Sequence, residues 1–382
     1  KDITEAIDAG FDVKIIVDTI NASDNTSQPD LLAKYGLLDK VLRFEQPRGK
    51  INRYIKAASH LLNPLLLYCF IKYSIFKGKK SLDYIFILKF YWKFRNAAAY
   101  HVHFATVIHP LFELKEIGFI KSKIVVTFHG YDAHFLPNGE QLKNLICNFN
   151  NHVAQITVNS VFLKNLLVSK GFRESEISIV PIGINTEFFK RDILSIASKA
   201  TLKLITVGRL VALKGQEYGL RALNILIDKG FSVHYTIVGN GMQLTKLMDL
   251  KKQLKMETHV TFEGNRNPQE IKELPQEHQV FLMTSTINEA GTSEAFGVVS
   301  LEAQAMGLPV VGFQSSGFTE TVIEGKTGVI VEDQNVAAMA NAIEKLILDE
   351  NLWHTMSENA KYHILNSYTF EKTIGQYLKF YE

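Results

Sequence analysis

Short β-branched runs alternate with longer amphipathic stretches along most of the chain, and this alternation limits the fold more than any other feature. In the first half the runs are "FDVKIIVD", "KVLRF", "AYHVHFA", "KIVVTFHG", "QITVNS" and "ISIVPIG". In the second they are "LKLITVG", "HYTIVG", "HVTFEG", "QVFLMTS", "LPVVGF" and "TGVIV". Most are continuously apolar, the pattern of strands covered on both faces in a parallel sheet. Between them, Glu217–Lys229 and Asn335–Leu348 repeat apolar residues at helical spacing. The expected class is α/β, with two Rossmann-like doubly wound domains. A chain of 382 residues, 46% hydrophobic, is long enough for two such cores.

The polar stretch "NTEFFKRDILSIASKATLK" lacks a strand pattern and is expected to join the two halves. The domains are therefore drawn at 1–185 and 200–365, with a C-terminal helix within 366–382 expected to pack back on the first domain. Ligands of open parallel sheets bind beyond the carboxyl ends of strands, so a cleft between two facing sheets is the expected site. The chain opens in a helical pattern, "DITEAIDAG", where a mononucleotide-type domain ordinarily opens with a strand and tight loop. That first strand is expected to be missing from the sequence.

Cys69 and Cys147 are too few for a disulfide framework, which favours a reducing cytosol. No run approaches the roughly 20 apolar residues of a membrane span, and "KDITEAIDAGFDV" is too polar for a signal peptide. The net charge is only +3 but is unevenly spread: Arg43 to Arg95 holds twelve Lys/Arg against Glu45 and Asp83. Within it, "HLLNPLLLYCFIKYSIFKGKKSLDYIFILKFYWKFR" mixes lysines with large apolar residues. Such a segment can lie in a bilayer interface and attract anionic lipid; alternatively, its apolar residues form core helices and its lysines face water. The first reading makes the protein peripheral on the inner face of the cytoplasmic membrane. No nucleic-acid-binding module accompanies the charge, so nucleic acid is not an expected partner.

The chemistry is concentrated in "SEAFGVVSLEAQAMGLPVV", Ser293 to Val311. Read as a helix from Gly297 to Met306 packed on a sheet, it puts Val298, Leu301 and Ala305 on one face, with Glu302 inside that apolar arc. The N–H groups of Phe296, Gly297 and Val298 would form an anion-binding helix N-terminus. Glu294, at the mouth, could accept hydrogen bonds from hydroxyls, and Glu302 could accept two neighbouring hydroxyls such as a ribose presents. The plainer alternative is a glutamate that snorkels or pairs with a lysine. In "VGRLVALKG", Arg209 and Lys214 follow a strand and could clamp a diphosphate. "VGNG" lacks the third glycine of a dinucleotide fingerprint and reads as a plain strand-to-helix turn. No Asp-x-Asp pair or His/Cys cluster suggests a metal, and no cofactor is expected.

These motifs resemble the nucleotide-sugar domain of the retaining glycosyltransferases of family 4, which have the two-Rossmann GT-B fold. The family's glutamate–seven residues–glutamate motif matches Glu294 and Glu302, and its phosphate-binding arginine and lysine match Arg209 and Lys214. The resemblance implies that Glu302 holds the donor's ribose while Glu294 meets the donor sugar. It places "FEGN", with Gly264 and Asn265, beside the nucleotide base. In the first half "VVTFHGYD" is similar to the family segment whose histidine, here His129, faces the donor sugar. His103 in "AYHVHFA" would border the acceptor site. The sequence is most similar in character to bacterial exopolysaccharide and lipopolysaccharide enzymes of the colanic-acid type. The implied activity is metal-independent retaining transfer from a nucleotide-diphosphate sugar to a glycan or lipid-linked acceptor. UDP is favoured over GDP on family base rates. Two alternatives share the fold: a nucleotide-sugar epimerase and a non-catalytic nucleotide-binding protein at the membrane surface.

Overall fold

The computed structural model describes residues 2–17, 29–191, 201–288, 291–315 and 317–382. Residues 192–200 of the polar joining stretch and residues 289–290 of the loop before the glutamate helix lie outside them. The chain forms two compact units: Lys1–Val158, Leu166–Ser178 and Ile374–Glu382 in one, Asn159–Asn165 and Ile179–Thr373 in the other.

The chain first runs α1 (Asp2–Asp8), β1 (Ile15–Val17), α2 (Pro29–Lys34), β2 (Val41–Arg43), α3 (Lys50–Leu61), α4 (Pro64–Phe76) and α5 (Asp83–Tyr91). It continues through β3 (Ala99–His103), α6 (Leu111–Glu116), β4 (Lys123–Thr127), α7 (Tyr131–His134), α8 (Gly139–His152), β5 (Gln155–Val158), α9 (Val161–Ser169) and β6 (Ile177–Ile179). β1 and β2 pair in parallel as a two-stranded sheet, and β3-β4-β5-β6 form a separate one. β3 and β4 are parallel, with His101 opposite Val125 and His103 opposite Thr127. The covered-strand reading holds best for β4 and β5, where Ile124, Val125, Val126, Ile156 and Val158 are buried. It does not hold for "FDVKIIVD" and "KVLRF", which yield only three-residue strands with no fully buried residue.

The second unit continues β7 (Leu202–Val207), α10 (Gln216–Asp228), β8 (Val233–Val238), α11 (Leu244–Gln253), β9 (Val260–Gly264), α12 (Pro268–Glu273) and β10 (Val280–Met283). There follow α13 (Val298–Ala305), β11 (Val310–Phe313), β12 (Gly328–Val331), α14 (Val336–Leu348) and α15 (Glu350–Ser367); the last helix, α16 (Phe370–Leu378), belongs to the first unit from Ile374 on. Its sheet has the order β12-β11-β10-β7-β8-β9 and is parallel throughout. Adjacent strand residues feed opposite cores. Leu204 and Leu282 join Leu220, Leu223 and Trp353 on one face, while Ile205, Phe281 and Met283 join Ala303 and Met306 on the other. Asn335 is a cap rather than a helical residue, its side chain accepting from the Ala338 N–H at 3.0 Å.

The order in which strands are added reverses between β7 and β10, which are parallel neighbours, so the loops leaving their carboxyl ends emerge side by side. Backbone hydrogen bonds lace the turns at that end together. Gly208 N–H donates to Val238 O at 3.0 Å, Leu210 N–H to Asn240 O at 2.9 Å, and Gly239 N–H to Gly264 O at 2.8 Å. Gly239 makes this possible: its φ is +133°, and a Cβ there would lie 1.9 Å from Gly208 O. Gly239→Ala is therefore expected to destabilise the second unit by more than about 1 kcal/mol. It should also displace the turn that carries Arg209. Urea unfolding followed by a probe in the second unit measures the first effect, and an unshifted midpoint would contradict it.

Candidate active site

The loop after β7 carries Arg209 and Lys214. Arg209 is exposed, and its carbonyl accepts from the buried Gln216 side chain at 3.1 Å. Lys214 sits against the end of β10: Thr284 Oγ1 donates to Lys214 O at 2.7 Å, and Thr286 N–H to Leu213 O at 3.0 Å. Gly215 lets the two loops meet, since its φ is +59° and a Cβ would lie 2.2 Å from Thr284 O. This seating directs the lysine to an ion pair between Lys214 Nζ and the Glu294 carboxylate, with side chains only 18% and 19% exposed. Two residues 80 positions apart in sequence thus share one spot at the β7–β10 reversal.

α13 begins one residue later than the sequence pattern suggests. Gly297 is left-handed at φ +76°, and a Cβ there would crowd Phe318 Cβ at 2.7 Å and Met283 Cε at 3.0 Å. The packing also differs from expectation. The face bearing Val298, Leu301 and Ala305 does not meet the sheet; it packs on Ile184 and on Ile364 of α15. Val299, Ala303 and Met306 meet the sheet instead. At about 100° per residue, Glu302 falls in the seam between these two apolar faces. That setting withdraws its carboxyl from water, and burial pushes its pKa up to about 7. Phe296 is buried beside Val298, so only its backbone is available to a ligand. Gly264 ends β9 and Asn265 follows it, two strands from β7, roughly 10 Å away at ordinary strand spacing. Asn265 is exposed.

In the first unit His103 closes β3 and His129 follows β4, and the pairing of these strands brings the imidazoles together. His103 Nδ1 and His129 Nε2 lie 3.0 Å apart. One ring must donate and the other accept, so each sets the other's tautomer. Asp132, in the same "VVTFHGYD" segment, is fully buried. Its carboxylate accepts from the His129 and Gly130 N–H groups at 2.9 and 3.2 Å and from the Ala105 N–H at 2.9 Å. It thereby ties both histidine-bearing turns to each other. The available signal was an aspartate three residues after the histidine across a glycine, an arrangement in which the side chain caps its own turn. Behind the pair, His101 bridges Thr127 Oγ1 at 2.7 Å and the Tyr381 hydroxyl at 2.6 Å. Among the described residues, no group of three or more His, Cys, Asp or Glu is arranged to hold a metal ion.

Two parallel-sheet α/β units in one chain have the architecture of the GT-B fold. Residues 190–363 match the model of the glycosyl transferases group 1 and residues 59–188 that of Glycosyltransferase Family 4. The chain belongs to these glycosyltransferases. WcaL of Escherichia coli K12, named for colanic acid biosynthesis, is 27% identical over 375 residues, 91% of this chain and 87% of its own length. The amylovoran biosynthesis glycosyltransferase AmsK of Erwinia amylovora is 27% identical over 90% of this chain and 85% of its own. Among solved structures, Anabaena HepE in complex with UDP superposes with a TM-score of 0.72 at 18% identity, over 99% of this chain and 93% of that one. A Rickettsia africae glycosyltransferase gives a TM-score of 0.72 at 17% identity, over 100% and 92%.

The raised pKa of Glu302 has a definite pH signature. Its unfolded-state carboxyl ionises near 4.5 while the folded one holds its proton to about 7. The folded state therefore binds more protons across that window, and stability falls as pH rises through it, by up to roughly 3 kcal/mol. Glu302→Gln should remove this decline. Thermal melts of both proteins across the window check it, and parallel pH profiles would contradict the buried-carboxyl assignment.

Proposed function

We propose that the chain is a retaining glycosyltransferase that moves a sugar from a nucleotide-diphosphate sugar, UDP-linked in preference to GDP-linked, to a glycan or lipid-linked acceptor in surface polysaccharide synthesis. The observation that carries this reading is the meeting of Lys214, Glu294 and the start of α13 at the β7–β10 reversal, with Glu302 in the seam behind. Arg209, Lys214 and the N–H groups of Phe296, Gly297 and Val298 take the diphosphate. Glu302 accepts from the ribose hydroxyls and Glu294 from the sugar hydroxyls, while Gly264 and Asn265 border the base. In the first unit His129, oriented by His103, is the candidate sugar-facing residue. The names of WcaL and AmsK support the exopolysaccharide assignment, and the UDP in the HepE crystal supports the uridine preference.

In the proposed reaction the bond from the anomeric carbon to the diphosphate oxygen breaks. The acceptor hydroxyl oxygen attacks from the same face, and its proton passes to the departing phosphate oxygen. Negative charge grows on the diphosphate as it leaves, which is where Arg209, Lys214 and the helix N–H groups act. No step requires a metal or a cofactor.

Incubation with labelled nucleotide sugars and lipid extract separates transfer from epimerisation and from binding alone; an epimerised sugar with no transfer would overturn the reading. Replacing Arg209 and Lys214 together by Ala should lower turnover by about 100-fold or more, with the fold intact. Normal turnover would move the diphosphate elsewhere. Glu302→Ala should weaken binding of the nucleoside diphosphate even without a sugar. Glu294→Ala should bind the bare diphosphate at least as well as wild type while losing preference for the sugar nucleotide. Unchanged nucleoside-diphosphate affinity in Glu302→Ala would end the ribose assignment.

A further inference from the structure

α4 is apolar around its whole circumference, "PLLLYCFIKYSIF", the composition of a helix enclosed on all sides. Yet it is covered on one side only. Leu66, Cys69, Tyr73 and Ser74 are buried, while Leu65, Tyr68 and Ile75 are 50%, 57% and 74% exposed. α3 has uncovered apolar residues of its own, Ile51 and Tyr54, exposed by 78% and 65%, and Leu62 after its end is 84% exposed. On α4 Leu65, Tyr68, Ile71 and Ile75 recur at three- and four-residue spacing, and on α3 Tyr54 and Ile55 follow Ile51 by three and four, so each helix presents a stripe rather than scattered side chains. α5 is different: Tyr84, Ile85, Phe86, Leu88 and Tyr91 are buried, and it belongs to the core.

The charge around the stripes has one sign. Residues 46–82 contain eight Lys/Arg and no Asp or Glu. Not all of that charge is available. Lys77 pairs with Glu113 at 3.2 Å, Arg53 with Asp83, and Lys72 donates to Ile117 O at 3.1 Å. Lys79 and Lys80 follow α4 as exposed residues in the turn after its end.

We propose that the exposed stripes of α3 and α4 form a docking surface for an anionic lipid bilayer, lying in the interface with their apolar side chains among the acyl chains and Lys79 and Lys80 at the headgroups. The occupant follows from the chemistry: a soluble anionic ligand would not meet the apolar stripes, and a neutral apolar surface would leave the cations without counter-charge. α4 has 13 residues, too few to cross a bilayer, so its mode is surface docking. The inference rests on the proposed transfer to a lipid-linked acceptor, which such docking would bring to the first unit.

The test is flotation of the whole chain with phosphatidylcholine vesicles, with and without phosphatidylglycerol. Three double variants are compared: Lys79→Glu with Lys80→Glu, which spares the Lys77–Glu113 pair; Leu65→Ser with Ile75→Ser; and Lys121→Glu with Lys326→Glu as a charge-matched control. Wild type and control should float with the anionic vesicles at low salt. Either surface variant should bind at least about tenfold more weakly. Hydrolysis of the nucleotide sugar without vesicles should be equal in all four proteins, so its loss throughout would count against the transfer reading, not against docking. Wild type remaining in the soluble fraction, or surface variants floating like wild type, would overturn the docking proposal. So would a Leu65→Ser, Ile75→Ser variant that turns a dimer into a monomer in light scattering without changing vesicle binding. In that case the stripes join two copies of the chain.

Discussion

Burial of most of α13, all but the half-buried side bearing Val298, Val299 and Glu302, is the constraint from which the second unit's candidate site follows. A helix enclosed by a sheet on one side and α15 on another must find partners for its polar groups within the protein. Gln304 Nε2 donates to Thr321 O at 2.8 Å, and Ser300 Oγ lies 3.0 Å from Thr321 Oγ1. At the carboxyl end, the buried guanidinium of Arg191 donates to Met306 O, and also to Pro275 O and to His278 O, the last at 2.7 Å. At the other end Gly297 admits the turn. In the proposed reaction, these bonds hold the helix in place while the N–H groups at its start face the ligand. That is the preorganisation that makes fixed dipoles effective against developing charge. The cost appears at Glu302, which the seam withdraws from water and which keeps its proton to about pH 7.

The order of strands explains why these groups meet at all. Because β7 lies beside β10, a cation from one loop and a carboxylate from a loop far along the chain become neighbours without any long excursion. The glycines at the same end serve this closeness. At Gly215 and Gly239 any side chain would strike a neighbouring loop's carbonyl, so the close approach of the loops depends on their lacking one.

The strand runs of the second unit were legible because a strand covered on both faces leaves no polar alternation to confuse with a helix. β1 and β2 were overestimated because a short, half-covered strand and its flanking loop carry the same apolar residues. Arg209, Lys214, Glu294 and Glu302 could be singled out through their resemblance to a family motif. The Lys214–Glu294 pair could not, since nothing local marks a contact across 80 residues. The orientation of α13 was misread for a related reason. A single periodic stripe implies a single partner, and this helix has two, so Glu302 was assigned to a face when it occupies a seam. Arg191 escaped notice because a lone cation in a polar connecting stretch looks like surface. The His103–His129 contact depends on the register of β3 and β4, which no pattern within either strand encodes.

Both candidate clusters satisfy themselves internally, the histidines with each other and Lys214 with Glu294. Groups partly withdrawn from water require this, and it shapes what can bind. A ligand that takes Lys214 leaves Glu294 without its cation, and one that takes Glu294 leaves the lysine unpaired. Each half-measure strands a partly buried charge, which is costlier than forgoing a hydrogen bond in solvent. A molecule carrying an anionic diphosphate and hydroxyl donors side by side replaces both partners at once. In the proposed reaction, then, preference for an intact sugar nucleotide over its separate pieces arises from the ion pair that must be opened to admit it.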